Sequence, residues 1–220
     1  MPEILVQYEA EILSAIGETF VMVGVSILAA VLIGLPVGTV LFLCRKGKML
    51  ENKFVFSILN LFVNTIRSFP FLLLVVFLIP FTRFIIGTAI GTAAATVPLS
   101  IIAIAHYSRL VEQSLLEVPK GVMEAAISMG ASVKEVVFKF LYVEARSGLV
   151  LGLTTSIISF ISYSTIMGVV GGGGIGDFAI RYGYQQFKTD LMIYMIIIMV
   201  ILVQLIQFIG TTVSRIIDKR

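Results

Sequence analysis

Long apolar stretches separated by short charged ones organise the 220-residue chain. A helix needs about 20 predominantly apolar residues to cross a bilayer. Five segments qualify, at residues 20–44, 54–86, 87–111, 148–170 and 191–212. The second is too long for a simple crossing, since 33 residues in one helix would run roughly 50 Å. Its first turns are therefore expected to project beyond the membrane, with Pro70 marking the point of entry and a kink. Ser57, Asn60, Asn64 and Arg67 fall on one side of that projecting half, a polar stripe that either packs on neighbouring helices or borders a vestibule. In the third segment Gly87, Gly91 and Ala95 put small residues at every fourth position, which predicts close helix packing. His106, near its end, is expected to be hydrogen-bonded in the bundle.

The fourth segment carries no charge, yet Thr155, Ser159 and Ser162 line one face, with Tyr163, Ser164 and Thr165 toward its far end. A hydroxyl is an inexpensive polar group in a membrane because it can bond back to its own helix. Helix-to-helix hydrogen bonding and a path for an uncharged or zwitterionic solute both account for the stripe.

Composition agrees with the pattern. The chain is 58% hydrophobic and 13% charged, against about 25% charged in an average soluble domain. It reads as one all-α membrane domain covering residues 1–220. A net charge of +3 is too small to imply nucleic acid. The single cysteine, Cys44, makes no internal disulfide, and with His106 as the only histidine a Cys/His metal site fails on ligand count.

Arg45, Lys46, Lys48 and Lys53 follow the first segment, Lys120, Lys134, Lys139 and Arg146 lie between the third and fourth, and Arg215, Lys219 and Arg220 end the chain. Five crossings put all of these on one side, which the positive-inside rule makes cytoplasmic. Arg83 and Arg181 are exceptions. The acidic N-terminus is then outside, and with no basic residue before Arg45 it lacks the positive region of a cleaved signal, so the first crossing is expected to be retained.

The main cytoplasmic loop, about 117–145, reads as two short helices. Val118, Val122, Ala125, Ala126 and Met129 share one face of the first. Gly130 supplies a left-handed stop, and Ser132 with Glu135 has capping-box spacing for the second. Val133, Val136, Val137, Phe140 and Leu141 make that helix apolar on one side. A simple connection needs only a few residues. A compact knob of this length predicts a docking partner.

EAAISMGASVKEVVFKFLYVEA, residues 124–145, resembles the cytoplasmic coupling motif of permease subunits of ATP-binding-cassette importers. Glu124, Ala125, Ala126 and Gly130 match it, Phe140 takes its later apolar place, and Tyr142 and Val143 stand where Leu and Pro are usual. SFPFLLLVVFLIPFTRFIIGTAIGT at 68–92 and GGGGIGDFAIRYGYQQF at 171–187 are similar to methionine-importer permeases. The resemblance implies a type I importer permease in the bacterial cytoplasmic (inner) membrane. It would be a homodimer working with two copies of a cytoplasmic ATPase, which carries the ATP and Mg, and an extracytoplasmic methionine-binding lipoprotein. No cofactor is implied on this chain. Coupling would fall to Glu124, Ala125, Ala126, Met129, Gly130, Ala131, Phe140 and Leu141. The pathway would be lined by Thr155, Ser159, Ser162 and Tyr163, with Ile166 and Met167 as an apolar seal. The substrate would be methionine, or another small amino acid or related solute.

Other readings of the glycine-rich run fail on context. GGGGIG at 171–176 matches G-x-G-x-x-G but follows an apolar run too long for a strand. Gly174-Ile175-Gly176-Asp177 fits an intramembrane aspartyl protease pattern, but that chemistry needs a second carboxylate, and Asp190 and Asp218 sit at opposite ends of the last segment. There is no G-x-x-x-x-G-K-[ST], so any ATP is bound by another chain. The five segments contain no Asp or Glu, against an ion-coupled transporter.

Overall fold

A computed structural model describes residues 2–218, and they form helices joined by short turns. Ten elements follow one another: α1 (Pro2–Gln7), α2 (Glu9–Cys44), α3 (Lys53–Ser68), α4 (Phe71–Phe77), α5 (Ile79–Ile86), α6 (Thr92–Leu116), α7 (Lys120–Ser128), α8 (Val133–Val169), α9 (174–185) and α10 (Thr189–Ile217). Four of them, α2, α6, α8 and α10, are each long and apolar enough to cross a membrane. The pair α3 and α4 makes a fifth crossing only as a broken one, bent by 108°.

That bend corrects the expected 33-residue rod. Proline disfavours helical geometry in the residue before it, and Phe69 and Pro70 are both extended (ψ 133° and 128°). Pro80 then opens α5, and Gly87 closes it at φ +84°. Gly91, at φ +98°, precedes α6. Gly87 and Gly91 are thus turn residues, each with open space where a Cβ would stand. They are not part of a packing stripe, and the third crossing starts at Thr92 rather than at residue 87.

Close backbone approach occurs elsewhere. Gly34 and Gly38 of α2 lie against α6, where a Cβ on Gly38 would meet the Ser108 carbonyl at 2.4 Å. Small residues four apart allow this contact, and Ser108 Oγ donates to the Gly34 carbonyl at 3.0 Å. Pro36 has no N–H to give to the preceding turn, and α2 widens into a π turn at Ala30–Gly34 just before it. Helix α6 is the hub, packed on α2, α3 and α8. Leu99, Ala103, Ala105, Val111 and Leu115 are buried there with Leu41 and Phe42 of α2, Val63 of α3 and Phe160 of α8. Helix α10 is the most lipid-like, with Leu191, Met195 and Ser214 its only buried residues among those described.

A second, smaller core stands at the opposite end of the bundle from the knob. Ile12 and Ala15 of α2 meet Ile175 and Phe178 of α9 and Leu191 and Met195 of α10. Tyr8 stacks edge-on against Tyr182 at 5.3 Å.

Candidate coupling surface and translocation face

The knob is built from local rules. Helix α7 ends in a Schellman motif, in which the Gly130 N–H donates to the Ile127 carbonyl (2.9 Å) and the Ala131 N–H to the Ala126 carbonyl (3.1 Å). Gly130 takes φ +78°, as this motif requires. The capping box then forms: Ser132 Oγ accepts from the Glu135 N–H, and Glu135 Oε2 accepts from the Ser132 N–H at 3.1 Å. Glu135 also takes Lys139 Nζ at 2.8 Å. The hydrogen bond from Lys139, then those from Ser132, hold its carboxyl at about 2, below the usual 4.5.

The structure differs from the two short helices expected in one respect. The second is not separate, because the chain runs without a break from Val133 through a π turn (Val136–Leu141) to Val169. The knob is therefore α7 folded onto the base of a crossing helix. The buried side of α7 is Met123 and Ala126, next to Val136, Val137 and Leu141. Ala125 and Met129, expected on that apolar face, are exposed. Spacing placed them one helical step too generously, because the buried face of a nine-residue helix is narrow. Of the residues implied for coupling, Ala126 and Leu141 are wholly buried and Ala131 and Phe140 partly so. Glu124, Ala125, Met129 and Gly130 face out, with Ile127 beside them at 48% exposure. Tyr142 hydrogen-bonds Thr39 Oγ1 of α2 at 2.7 Å, which ties the base of α8 to the bundle.

Along α8 the hydroxyl stripe is present and outward. Thr155 and Ser162 are exposed and Ser159 half-buried. Each hydroxyl donates to the carbonyl one turn back: Thr155 to Leu151 (3.0 Å), Ser159 to Thr155 (3.0 Å) and Ser162 to Ile158 (3.3 Å). Their protons are satisfied by their own helix, so this face offers lone pairs as acceptors. Ile166 continues the stripe and lines an apolar groove with Met195, Ile196 and Met199. Tyr163 lies off it, its ring stacked on Phe71 at 4.6 Å.

Met167 does not share this face. It is 4% exposed and lines an interior cavity with Val75, Ala95 and Gly172. A step of one residue turns a helix by about 100°, so Ile166 and Met167 point in different directions. His106 also departs from expectation. It lies mid-helix, edge-on to Phe160 at 5.8 Å, and its buried Nε2 has no hydrogen-bond partner.

Sequence reading missed an ion network at the knob end of the bundle. Glu112, 1% exposed, accepts from Arg45 of α2 at 3.2 Å and pairs with Arg109 of its own helix. Arg109 also donates to Asn60 (2.7 Å) and Asn64 (2.6 Å) of α3. Part of the polar stripe on α3 therefore packs on α6, while Ser57 and Arg67 stay exposed. The expected third segment stopped at residue 111, one short of this carboxylate. The spacing of Arg109 and Glu112, three apart on one helix, was the available signal.

The glycine run folds back against the chain itself. Gly171, Gly173 and Gly174 have positive φ. The Gly174 N–H donates to Glu18 at 2.6 Å and the Ile175 N–H to Thr19 Oγ1 at 2.9 Å, so α2 caps α9. A Cβ on Gly176 would stand 2.4 Å from Thr165 Cα. The close neighbours of these glycines are α2, α8, the start of α6 and the turn before it, where the Gly91 N–H donates to the Gly171 carbonyl at 2.8 Å.

Comparisons with known proteins agree with this geometry. The family model described as binding-protein-dependent transport system inner membrane component matches residues 30–220. A probable D-methionine transport system permease protein of Vibrio cholerae is 42% identical over 209 residues, covering 95% of this chain and 93% of its own. The methionine import system permease protein of Bacillus subtilis is 42% identical over 180 residues, 82% of this chain and 81% of its own. Among solved structures, an inward-facing methionine ABC transporter superposes with TM-score 0.94 at 39% identity, covering 97% of this chain and 99% of that one. An amino acid ABC transporter at 19% identity and TM-score 0.78 shares the fold. The chain, an all-α membrane protein with up to five crossings and a knob at the base of the fourth, belongs to the family of binding-protein-dependent transport system inner membrane components.

Proposed function

We propose that this chain is the permease subunit of an ATP-driven importer for methionine. Two copies form the pathway, two copies of a cytoplasmic ATPase bind ATP and Mg, and an extracytoplasmic binding protein delivers the substrate. The observation that carries this reading is the continuity of α8: its first turns pack under α7, and the same helix displays Thr155, Ser159, Ser162 and Ile166. The relatives named for methionine transport support the substrate.

In this reading the exposed face of α7 (Glu124, Ala125, Ile127, Met129) meets the ATPase. Ala126, Gly130, Ala131, Phe140 and Leu141 hold that face in place. The hydroxyl stripe lines the path, Tyr163 flanks it, and Ile166 closes it against the second copy. Met167 supports Ile166 from inside the subunit. ATP can drive import only if ATPase closure binds the two permease states unequally. The cations at Arg45, Lys46, Lys48 and Lys53 support a cytoplasmic knob end and an outside N-terminus.

The test is uptake of radiolabelled methionine by proteoliposomes containing permease, ATPase and binding protein. ATP-dependent accumulation of methionine ahead of histidine and glutamine is expected; preference for another amino acid would reassign the substrate. In a Cys44→Ser background, Glu9→Cys and Gln185→Cys should react with an impermeant maleimide from outside and Lys48→Cys only after permeabilisation. The opposite pattern would invert the topology.

A further inference from the structure

Arg67 ends the polar stripe of α3 and is exposed on the subunit. Asn60 and Asn64 on that stripe are occupied by Arg109, and Arg109 by Glu112. Among the described residues Arg67 has no ion pair and no side-chain hydrogen bond.

Its height in the bundle gives that isolation meaning. Phe71, just past the break, stacks on Tyr163, and Tyr163 is only six residues, roughly 9 Å, from the α8 end at Val169. From the other direction, Arg67 lies roughly 21 Å along α3 from Lys53. Through Phe71 and Tyr163 the end of α3 is thus placed against the crossing helix α8, well along from the basic cluster at Arg45–Lys53. An ionised side chain there is costly against hydrocarbon and is retained where it faces a water-filled path or a counter-charge. No carboxylate among the described residues forms an ion pair with it, and the nearby Glu112 is committed to Arg45 and Arg109. Arg67 lies in the last turn of α3, where a cation suits the helix dipole, and a guanidinium stays charged at any ordinary pH.

The hydroxyl stripe has complementary chemistry. Ser159 lies one turn before Tyr163, and its hydroxyl proton is bound to the Thr155 carbonyl. The stripe therefore offers acceptors, suited to an ammonium group, while Arg67 offers a planar donor fork that fits a carboxylate with two parallel bonds.

We propose that Arg67 is a carboxylate-binding station on the pathway, receiving the α-carboxylate of the amino-acid substrate while the hydroxyl stripe receives its ammonium. This rests on the import reading above.

The test has two arms on the whole transporter. In the detergent-solubilised complex, modification of Arg67 by phenylglyoxal is followed by peptide mass spectrometry. Methionine should slow it about tenfold, and methioninamide, which lacks the carboxylate, should not. Equal rates with and without methionine overturn the proposal, as they would if lipid phosphate held the side chain. In proteoliposomes, Arg67→Gln should lower methionine uptake about 10- to 100-fold per assembled complex, with partial recovery in Arg67→Lys. Normal uptake by Arg67→Gln, or a loss matched by loss of complex, overturns it too. Wild-type vesicles that import no methionine would instead contradict the import reading. The labelling arm, run with histidine, glutamine and their amides, then still decides whether Arg67 meets a carboxylate.

Discussion

Glu112 and Arg45, 67 residues apart in sequence, meet at 3.2 Å where α2 leaves the bundle, the carboxylate at 1% exposure and the guanidinium at 45%. The same carboxylate holds Arg109, so one buried charge joins the ends of α2 and α6 and, through Asn60 and Asn64, α3. Breaking such a group costs more than forming it gains, because its partners are left behind unpaired.

Glu112→Gln should therefore destabilise the subunit by about 2 to 3 kcal/mol, below the usual cost of a broken buried pair because Arg45 is half in solvent and Arg109 keeps its asparagine acceptors. Thermal unfolding in detergent measures it. An unchanged melting temperature would show the network to be idle.

The knob has a pH-dependent start. Glu135 has a folded-state pKa lowered to about 2, so its contribution is complete above the unfolded value of about 4.5 and is lost as pH falls through about 2. Amide exchange at Ser132 should quicken over that window relative to amides in mid-α8, and in Glu135→Ala it should be fast at all pH values. A wild-type profile flat from neutral pH down to the low end of the window would refute the linkage.

Two glycines make a paired test of packing. Gly17→Ala meets nothing within 4 Å and should change stability by less than about 1 kcal/mol, in the stabilising direction. Gly176→Ala drives a Cβ onto the backbone of Thr165 and should cost about 1 to 3 kcal/mol. Equal yields and melting temperatures would mean that α9 can shift away from α8 freely.

At Gly130 the obstacle is backbone conformation, since its surroundings are open and its φ is +78°. Gly130→Val should leave membrane insertion intact and reorient α7, lowering co-purification with the ATPase or uptake-coupled hydrolysis. Gly130→Asn, which tolerates the left-handed region, should restore most of it. Wild-type coupling in the valine variant would remove the knob from the mechanism.

What could be read in advance follows the range of the forces. Gly130, Ser132 and Glu135 were legible because caps are made by residues three to five apart. The hydroxyl stripe was legible because one helix sets its spacing. The 108° turn at Phe69 and Pro70 was hidden inside an unbroken apolar run, since hydropathy counts residues and not their direction. Ile166 and Met167 are equally apolar, and contacts with Val75 and Ala95, far off in sequence, decide which one turns inward. Placing the end of α3 against α8 needed the stacking of Phe71 on Tyr163, a contact no local pattern encodes.

The unbroken run from Val133 to Val169 makes α8 a lever. Its 37 residues extend roughly 56 Å, so a tilt of about 5° about the knob end sweeps the far end through about 5 Å, close to one helical turn. In the proposed import reading, the unbroken helix from Tyr142 to Ile166 would carry a stroke delivered at α7 without absorbing it. The π turn at Val136–Leu141 lies below that stretch, at the fulcrum, and in the same reading the Tyr142 to Thr39 bond just above it would be the pin on which the lever turns.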